Sequence, residues 1–316
     1  MAYYFYGTNA SQTVYGTSYH DVIYGYGGND TLYGFGGNDH LYGGSGNDNL
    51  IGGTGINTLW GGSGYDWFIM SARSSASSDD LIADFEFGYD RADVSAWGVS
   101  DFSQIRAILG YDGYGDATLN AFAGGYDHVL TFDGISPSQL IASDFIYNYG
   151  GGRNLVGTGY NDTLFGSRSG DVLNGSYGND ILLGGYGSDT LIGGYGNDRL
   201  IGGNGYDVMG GGSGYDRFEF DSVSDSMPGA YRDRIVDFQE DIDHIDLATI
   251  DANVFASGNQ AFSFIGNRAF YGVGQVNYTF VGSDTIISAN INGDAAPEFQ
   301  IALNGHHYMI GSDFIL

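Results

Sequence analysis

The chain has 316 residues, 56 of them Gly, 3 Pro and none Cys, and its formal net charge is -28. Such a charge repels phosphates, which excludes a nucleic-acid binder, and the missing Cys excludes disulfides, zinc-thiolate sites, iron-sulfur clusters and thiol catalysis. With 42% apolar and 16% aromatic residues the chain can bury a core, yet it has no apolar run of the roughly 18 residues that a membrane helix requires.

The opening MAYYFYGTNASQ has neither the basic nor the apolar region of a cleavable signal peptide. From Gly7 to Ile69 the chain divides into nine-residue units that start at Gly7, Gly16, Gly25, Gly34, Gly43, Gly52 and Gly61. Their sixth position carries Asp21, Asp30, Asp39, Asp48 and Asp66, with Gln12 and Asn57 as exceptions. The eighth is always apolar: Val14, Ile23, Leu32, Leu41, Leu50, Leu59 and Phe68. One buried side chain per unit predicts very short strands separated by turn-forming residues. Side chains alternate along a strand, so the ninth position points away from the eighth. Alternate units share a face, which predicts a row of Tyr24, Tyr42 and Trp60 on one sheet. A flat aromatic row suits sugar rings, and it equally suits packing against a cap or another subunit.

Residues 70–147 break the period and are expected to cap the stack, since a solenoid end otherwise exposes its apolar interior. A degenerate unit, Asn148 to Val156, carries Arg153 at its sixth position and leads into a second array. Its units start at Gly157, Gly166, Gly175, Gly184, Gly193, Gly202 and Gly211, and their sixth position is Asp162, Asp171, Asp180, Asp189, Asp198, Asp207 and Asp216. Here the outward row is Phe165, Leu183 and Ile201, which reads as a packing surface. The remaining residues repeat the first cap. Asp80-Leu81-Ile82-Ala83-Asp84-Phe85 corresponds to Asp233-Arg234-Ile235-Val236-Asp237-Phe238, and Ser143-Asp144-Phe145-Ile146 to Ser312-Asp313-Phe314-Ile315. The expected organisation is a tandem duplication: roll 1–69, cap 70–147, roll 148–219, cap 220–316.

Gly permits the positive φ that curls a loop's carbonyls inward, and Asp adds a short carboxylate. These hard oxygen donors suit Ca²⁺, which accepts six to eight of them. Two units make one coil, so units 18 residues apart stack. Asp21 is expected on Asp39, and Asp30 on Asp48 and then Asp66. In the second array Asp162, Asp180, Asp198 and Asp216 share one edge, and Asp171, Asp189 and Asp207 the other. Each Ca²⁺ is expected between stacked loops, with Asn57 weakening the site it shares with Asp39. Without metal the carboxylates repel, so binding free energy becomes folding free energy.

The pattern Gly-Gly-x-Gly-x-Asp-x-apolar-x resembles the RTX repeat of secreted calcium-binding proteins, and units such as Gly43 to Ile51 match it at every position. The fold class that follows is all-β: two tandem calcium-binding parallel β-rolls, each followed by a β-rich cap domain. The second cap resembles the serralysin C-terminal domain through Asp221 to Ser224, Asp233 to Phe238 and the end Asp313-Phe314-Ile315-Leu316. That resemblance implies a C-terminal type I secretion signal, export by the type I secretion machinery of a Gram-negative bacterium, and a secreted, extracellular or cell-surface location. In the stretch that holds Gly293 and Asp294, Asn290 replaces the first Asp of the family's Asp-x-Asn-Gly-Asp loop, which weakens a calcium site there.

The serralysin protease domain and its His-Glu-x-x-His motif are absent from the sequence, as are a Gly-x-Ser-x-Gly elbow and a phosphate loop. No catalytic role is assigned to His20, His40, His128, His244, His306 or His307. Asp84, Asp90, Asp93, Asp237, Asp243 and Asp246 read as cap turns or extra calcium sites, with paired carboxylates for glycoside chemistry as the alternative. The expected function is non-enzymatic: folding on extracellular Ca²⁺ and binding polysaccharide or matrix at the bacterial surface, with Tyr24, Tyr42 and Trp60 as the ligand platform. The choice of polysaccharide follows a resemblance to the repeat modules of mannuronan epimerases. The layout is also similar to NodO-like stand-alone RTX proteins, which implies host-membrane interaction. Calcium-driven self-assembly into an oligomer and a polysaccharide-modifying enzyme remain open at this stage.

Overall fold

The structure, a computed structural model, describes residues 2–72, 76–123 and 125–316. The chain forms two compact units, Met1–Tyr149 and Gly150–Leu316. In the first, one sheet stacks Tyr3–Tyr6, Asp21–Gly27, His40–Ser45 and Gly55–Ser63 in parallel. It continues without a break into the cap, through parallel strands Ser78–Ile82 and Tyr126–Phe132, and ends in antiparallel Ala117–Ala123 and Leu109–Tyr111. The second sheet is wholly parallel: Thr13–Tyr15, Thr31–Tyr33, Asn49–Ile51, Trp67–Ile69, Arg91–Asp93 and Phe145–Ile146.

The register is the sequence period made visible. Ile23 pairs Leu41, and Leu41 pairs Leu59, while Leu32 and Leu50 line the facing sheet. Ile23, Leu32, Leu41, Leu50, Leu59 and Phe68 are fully buried, as are Leu173, Leu182, Leu191, Leu200, Met209 and Phe218. Each such side chain adds about 1.5–3 kcal/mol on burial. That gain recurs only once per nine residues, so the roll has little core with which to offset the ordering of its Gly-rich loops.

Two features exceed the sequence expectation. Strands on the first sheet run up to Gly55–Ser63, because pairing continues into the loops, as in Tyr26 with Gly44 and Gly44 with Gly62. The stack also begins earlier than Gly7: Phe5 pairs Ile23 and takes an eighth-position place.

The second unit repeats this plan. Asn154–Val156, Val172–Tyr177, Thr190–Tyr195, Val208–Ser213, Asp233–Ile235 and Phe299–Asn304 run parallel, followed by antiparallel Asp284–Asn290 and Gln275–Val281. Facing them are Thr163–Phe165, Ile181–Gly187, Arg199–Gly205, Arg217–Glu219, His244–Asp246 and Phe314–Ile315. The caps therefore share one topology. They differ in detail: the first contains the helix Phe102–Ile108, whose N-cap Asp101 accepts hydrogen bonds from the Ser103 and Gln104 N–H groups.

Candidate metal centre

Along each edge of the rolls the sixth-position side chains form a hydrogen-bonded ladder. The backbone N–H of Asp21 donates to Asp39 Oδ1 at 2.8 Å, that of Asp30 to Asp48 Oδ1 at 2.7 Å, and that of Asp48 to Asp66 Oδ1 at 2.8 Å. In the second roll Asp162 donates to Asp180, Asp180 to Asp198 and Asp198 to Asp216, at 2.8–2.9 Å. Asp171 donates to Asp189 and Asp189 to Asp207 at 2.7 and 2.8 Å. In each accepting Asp one carboxylate oxygen is thus committed to the neighbouring coil.

The other oxygen divides the twelve Asp residues into two groups. In Asp30, Asp39, Asp48, Asp66, Asp180, Asp189, Asp198, Asp207 and Asp216 the Oδ2 atom is buried without a hydrogen-bond partner. In Asp21, Asp162 and Asp171 it accepts from the backbone N–H and hydroxyl of Thr17, Thr158 and Ser167, the second residue of the same unit. The backbone explains the split. In every loop of the first group the second residue has positive φ, including the non-glycines Tyr26, Phe35 and Ser176 at 73–78°. Thr17, Thr158 and Ser167 do not adopt it, so their N–H groups point at the carboxylate instead of away from it.

Buried polar atoms without partners are costly and rare, so nine at one repeat position ask for a ligand. A test of space agrees. A Cβ built on Gly43 would lie 2.5 Å from Asp48 Oδ2 and 2.6 Å from the Gly61 carbonyl; on Gly193 it would lie 2.5 Å from both Asp198 Oδ2 and the Gly211 carbonyl. Oxygens of two successive coils therefore converge around these two leading glycines. No cluster of three acidic or imidazole side chains suited to a metal occurs among the described residues. The donor set consists of backbone carbonyls plus carboxylates, which matches the oxygen preference of Ca²⁺. Burial pushes the acids up against that charge: Asp39, Asp66, Asp180, Asp189 and Asp216 to about 7, Asp48 and Asp198 to about 6.

The ladders continue into the caps, which the nine-residue period does not foresee. The Asp66 N–H donates to Asp90 Oδ1 at 3.0 Å, that of Asp207 to Asp233 at 2.9 Å, and that of Asp216 to Asp243 at 3.1 Å. Asp90 and Asp243 also accept from Glu86 and Gln239 N–H, both at 2.8 Å, so these ends are satisfied without metal. Burial and the neighbouring Asp207 carboxylate raise Asp233. Asn57 stacks on buried Asp80 and donates to it at 2.8 Å, where a second carboxylate would repel. Its amide thus exchanges a ligand charge for a hydrogen bond.

The leading ends are closed differently. Gln12 Nε2 donates to the Gly25 carbonyl at 3.3 Å. In the second roll Arg153 donates from its guanidinium to the carbonyls of Phe165 and Gly166 at 2.9 and 3.2 Å, with the Asp171 carboxylate as a charge partner. A fixed cation thus occupies the carbonyls at the head of this ladder.

Four acids of the caps accept from backbone N–H groups. Asp84 accepts from Gly61 and Gly62 N–H at 2.8 and 2.9 Å, and Asp237 accepts from Gly211 and Gly212, both at 3.0 Å. Asp93 and Asp246 accept from the second residue on, in Asx turns. The Asn290 carboxamide donates to the Asp294 and Ala296 carbonyls, which holds that loop by hydrogen bonds. His128 meets Ser78 Oγ at 3.0 Å, with both residues buried in the sheet.

Tyr24, Tyr42 and Trp60 lie side by side, joined by Tyr6. The ring centroids are 5.7, 4.9 and 4.4 Å apart along this row and the planes lie within 11° of parallel. The rings cover one another's faces, so the row turns edges outward. Phe165, Leu183 and Ile201 are buried.

Residues 161–316 match the family described as Peptidase M10 serralysin C terminal, and residues 6–41, 15–50 and 42–69 match the RTX calcium-binding nonapeptide repeat. The chain is an RTX calcium-binding repeat protein with a serralysin C-terminal domain, and such repeats bind multiple Ca²⁺ ions. In proteases and epimerases these repeat and C-terminal domains are non-catalytic parts. Among solved structures, one subunit of the mannuronan C5-epimerase of Azotobacter vinelandii is 24% identical, with 54% of this chain and 81% of that chain covered and a TM-score of 0.35. A second subunit of that enzyme is 20% identical over 51% of this chain and 90% of its own, at a TM-score of 0.27. The extracellular lipase LipA of Serratia marcescens is 16% identical over the whole of this chain, which spans 40% of the lipase, at a TM-score of 0.24. No helix among the described residues is long and apolar enough to cross a membrane.

Proposed function

We propose that this chain is a secreted, non-enzymatic binding protein that leaves a Gram-negative cell through type I secretion machinery, folds on extracellular Ca²⁺ and binds polysaccharide or matrix at the bacterial surface. Its parts are the roll 1–69, the cap 70–147, the roll 148–219 and the cap 220–316 with the secretion signal. Calcium is held mainly by Asp30, Asp39, Asp48, Asp66, Asp180, Asp189, Asp198, Asp207 and Asp216, with Asp21, Asp162 and Asp171 as weaker participants. The carrying observation is the set of buried Oδ2 atoms without partners between stacked Gly-rich loops. The ion supplies the charge that lets these acids stay ionised side by side.

Calcium titration of the full chain, followed by circular dichroism and calorimetry, tests the folding half of this reading. A folded chain in EGTA, or one indifferent to calcium, overturns it. Binding to neutral and acidic exopolysaccharides in millimolar CaCl₂ and again in EGTA tests the other half. Binding in calcium that is lost in EGTA supports it, and no binding to any glycan retires it. Self-assembly is a second reading, favoured by the edge strand Tyr3–Tyr6, where Tyr3, Tyr4 and Tyr6 are exposed. Light scattering that rises on calcium addition marks that outcome.

A further inference from the structure

On the opposite sheet from the aromatic row, the first roll carries a groove of about 410 Å³ lined by Asn29, Asn47, Asn49, Tyr65 and Trp67. Asn29, Asn47 and Tyr65 are the fifth residues of three stacked units; Asn49 and Trp67 are seventh residues paired in register. The Asn47 N–H donates to Asn29 Oδ1 at 2.9 Å, and the Tyr65 N–H to Asn47 Oδ1 at 3.1 Å. These bonds fix each carboxamide by its oxygen. They leave the Asn29 and Asn47 Nδ2 groups without an acceptor among the described residues, repeated at the strand spacing of about 4.8 Å. Asn49 Nδ2 reaches Thr31 Oγ1 at 3.4 Å, which leaves its oxygen as an acceptor. Trp67 and Tyr65 are 43% and 54% exposed, and Tyr65 is braced by Tyr89 at 5.2 Å.

We propose that this groove is a subsite for a neutral saccharide. Fixed amide donors and an amide acceptor match hydroxyl groups, and indole and phenol rings match the C–H face of a sugar ring. No charged side chain lines the groove among the described residues, and the net charge of -28 disfavours anionic ligands. The row of Tyr24, Tyr42 and Trp60 lacks this combination, since its ring faces are already covered. The inference rests on the reading of the chain as a glycan binder and names a different surface for it.

The test uses the full chain in millimolar CaCl₂ with neutral gluco-, manno- and galacto-oligosaccharides, and uronic-acid oligosaccharides as acidic comparators. Calorimetry reads binding, and the calcium midpoint of folding reads the roll. Trp67→Ala removes the ring. Asn47→Asp keeps the oxygen that accepts from Tyr65 and removes the donor. Both variants are expected to weaken neutral-sugar binding at least tenfold, Trp67→Ala with an unchanged calcium midpoint, whereas Tyr24→Ala leaves binding intact. Neutral-sugar binding that persists in both variants overturns the groove and leaves the glycan reading standing. Binding of acidic sugars alone overturns the neutral preference, and no binding of any sugar by the unaltered chain overturns both readings.

Discussion

The first roll turns Tyr6, Tyr24, Tyr42 and Trp60 outward in a stack, whereas the register-matched positions of the second, Val156, Asn174, Ile192 and Gly210, carry no aromatic ring. The first leads with neutral Gln12 and carries the amide Asn57 within a ladder; the second leads with Arg153 and has an unbroken run of carboxylates. On the second roll Arg199 pairs with Glu219 through two bonds of 2.6 Å, and Arg217 bridges Glu219 and Asp246. One repeat therefore serves two ends. The positions that define the loop are shared, and the positions the loop leaves free differ.

Calcium removal has the largest expected effect on both rolls. In EGTA at pH 8, hydrogen exchange of Leu41, Leu50, Leu191 and Leu200 amides is expected to approach unfolded rates; protection retained in one roll alone would show that its ladder does not need the ion. Next come the leading glycines. Gly43→Ala and Gly193→Ala place a Cβ against a carboxylate and a backbone carbonyl, and are expected to abolish calcium-induced folding of their roll. Gly159→Ala meets nothing within 4 Å and is expected to change stability by less than about 0.5 kcal/mol.

The two groups of Asp give a smaller contrast. Asp198→Asn removes a charge from an unpartnered oxygen and is expected to raise the calcium midpoint about tenfold, equivalent to ~1.4 kcal/mol. Asp162→Asn, whose oxygen already has Thr158, is expected to shift it far less; equal shifts would erase the distinction. At the leading ends, Arg153→Ala leaves two carbonyls and Asp171 without their cation, so it is expected to raise the midpoint of the second roll more than Gln12→Ala raises that of the first.

The smallest effect is that of acid without metal. Asp39, Asp66, Asp180, Asp189 and Asp216 sit at about 7 in the folded chain against 3.8 for an unperturbed Asp. Their folded forms hold the proton more tightly, so this stability is fully present below pH 3.8 and is lost as pH rises through about 7. In EGTA the chain is expected to be more compact at pH 4.5 than at pH 8, with the unbroken ladders of the second roll opening first. Fluorescence and hydrogen exchange across that range check it.

The sequence by itself determined what is periodic. A buried residue every nine positions, Asp two places before it and Gly at the turns suffice for two stacked rolls, because each choice is local and repeats. The duplication of the caps was legible for the same reason, since Asp84 and Asp237 recur in matching stretches. Only the tertiary structure decided which acids keep an oxygen free, because that depends on φ at the second residue of each loop, where Tyr26, Phe35 and Ser176 behave like Gly and Thr17, Thr158 and Ser167 do not. It also brought Asp80, Asp90, Asp233 and Asp243 into the ladders, since the cap strands pair in register after the period has ended. Whether an aromatic row offers faces or edges is likewise a matter of packing. Rings one strand apart sit close enough to stack on one another, and no spacing in the sequence states which surface they then leave to solvent.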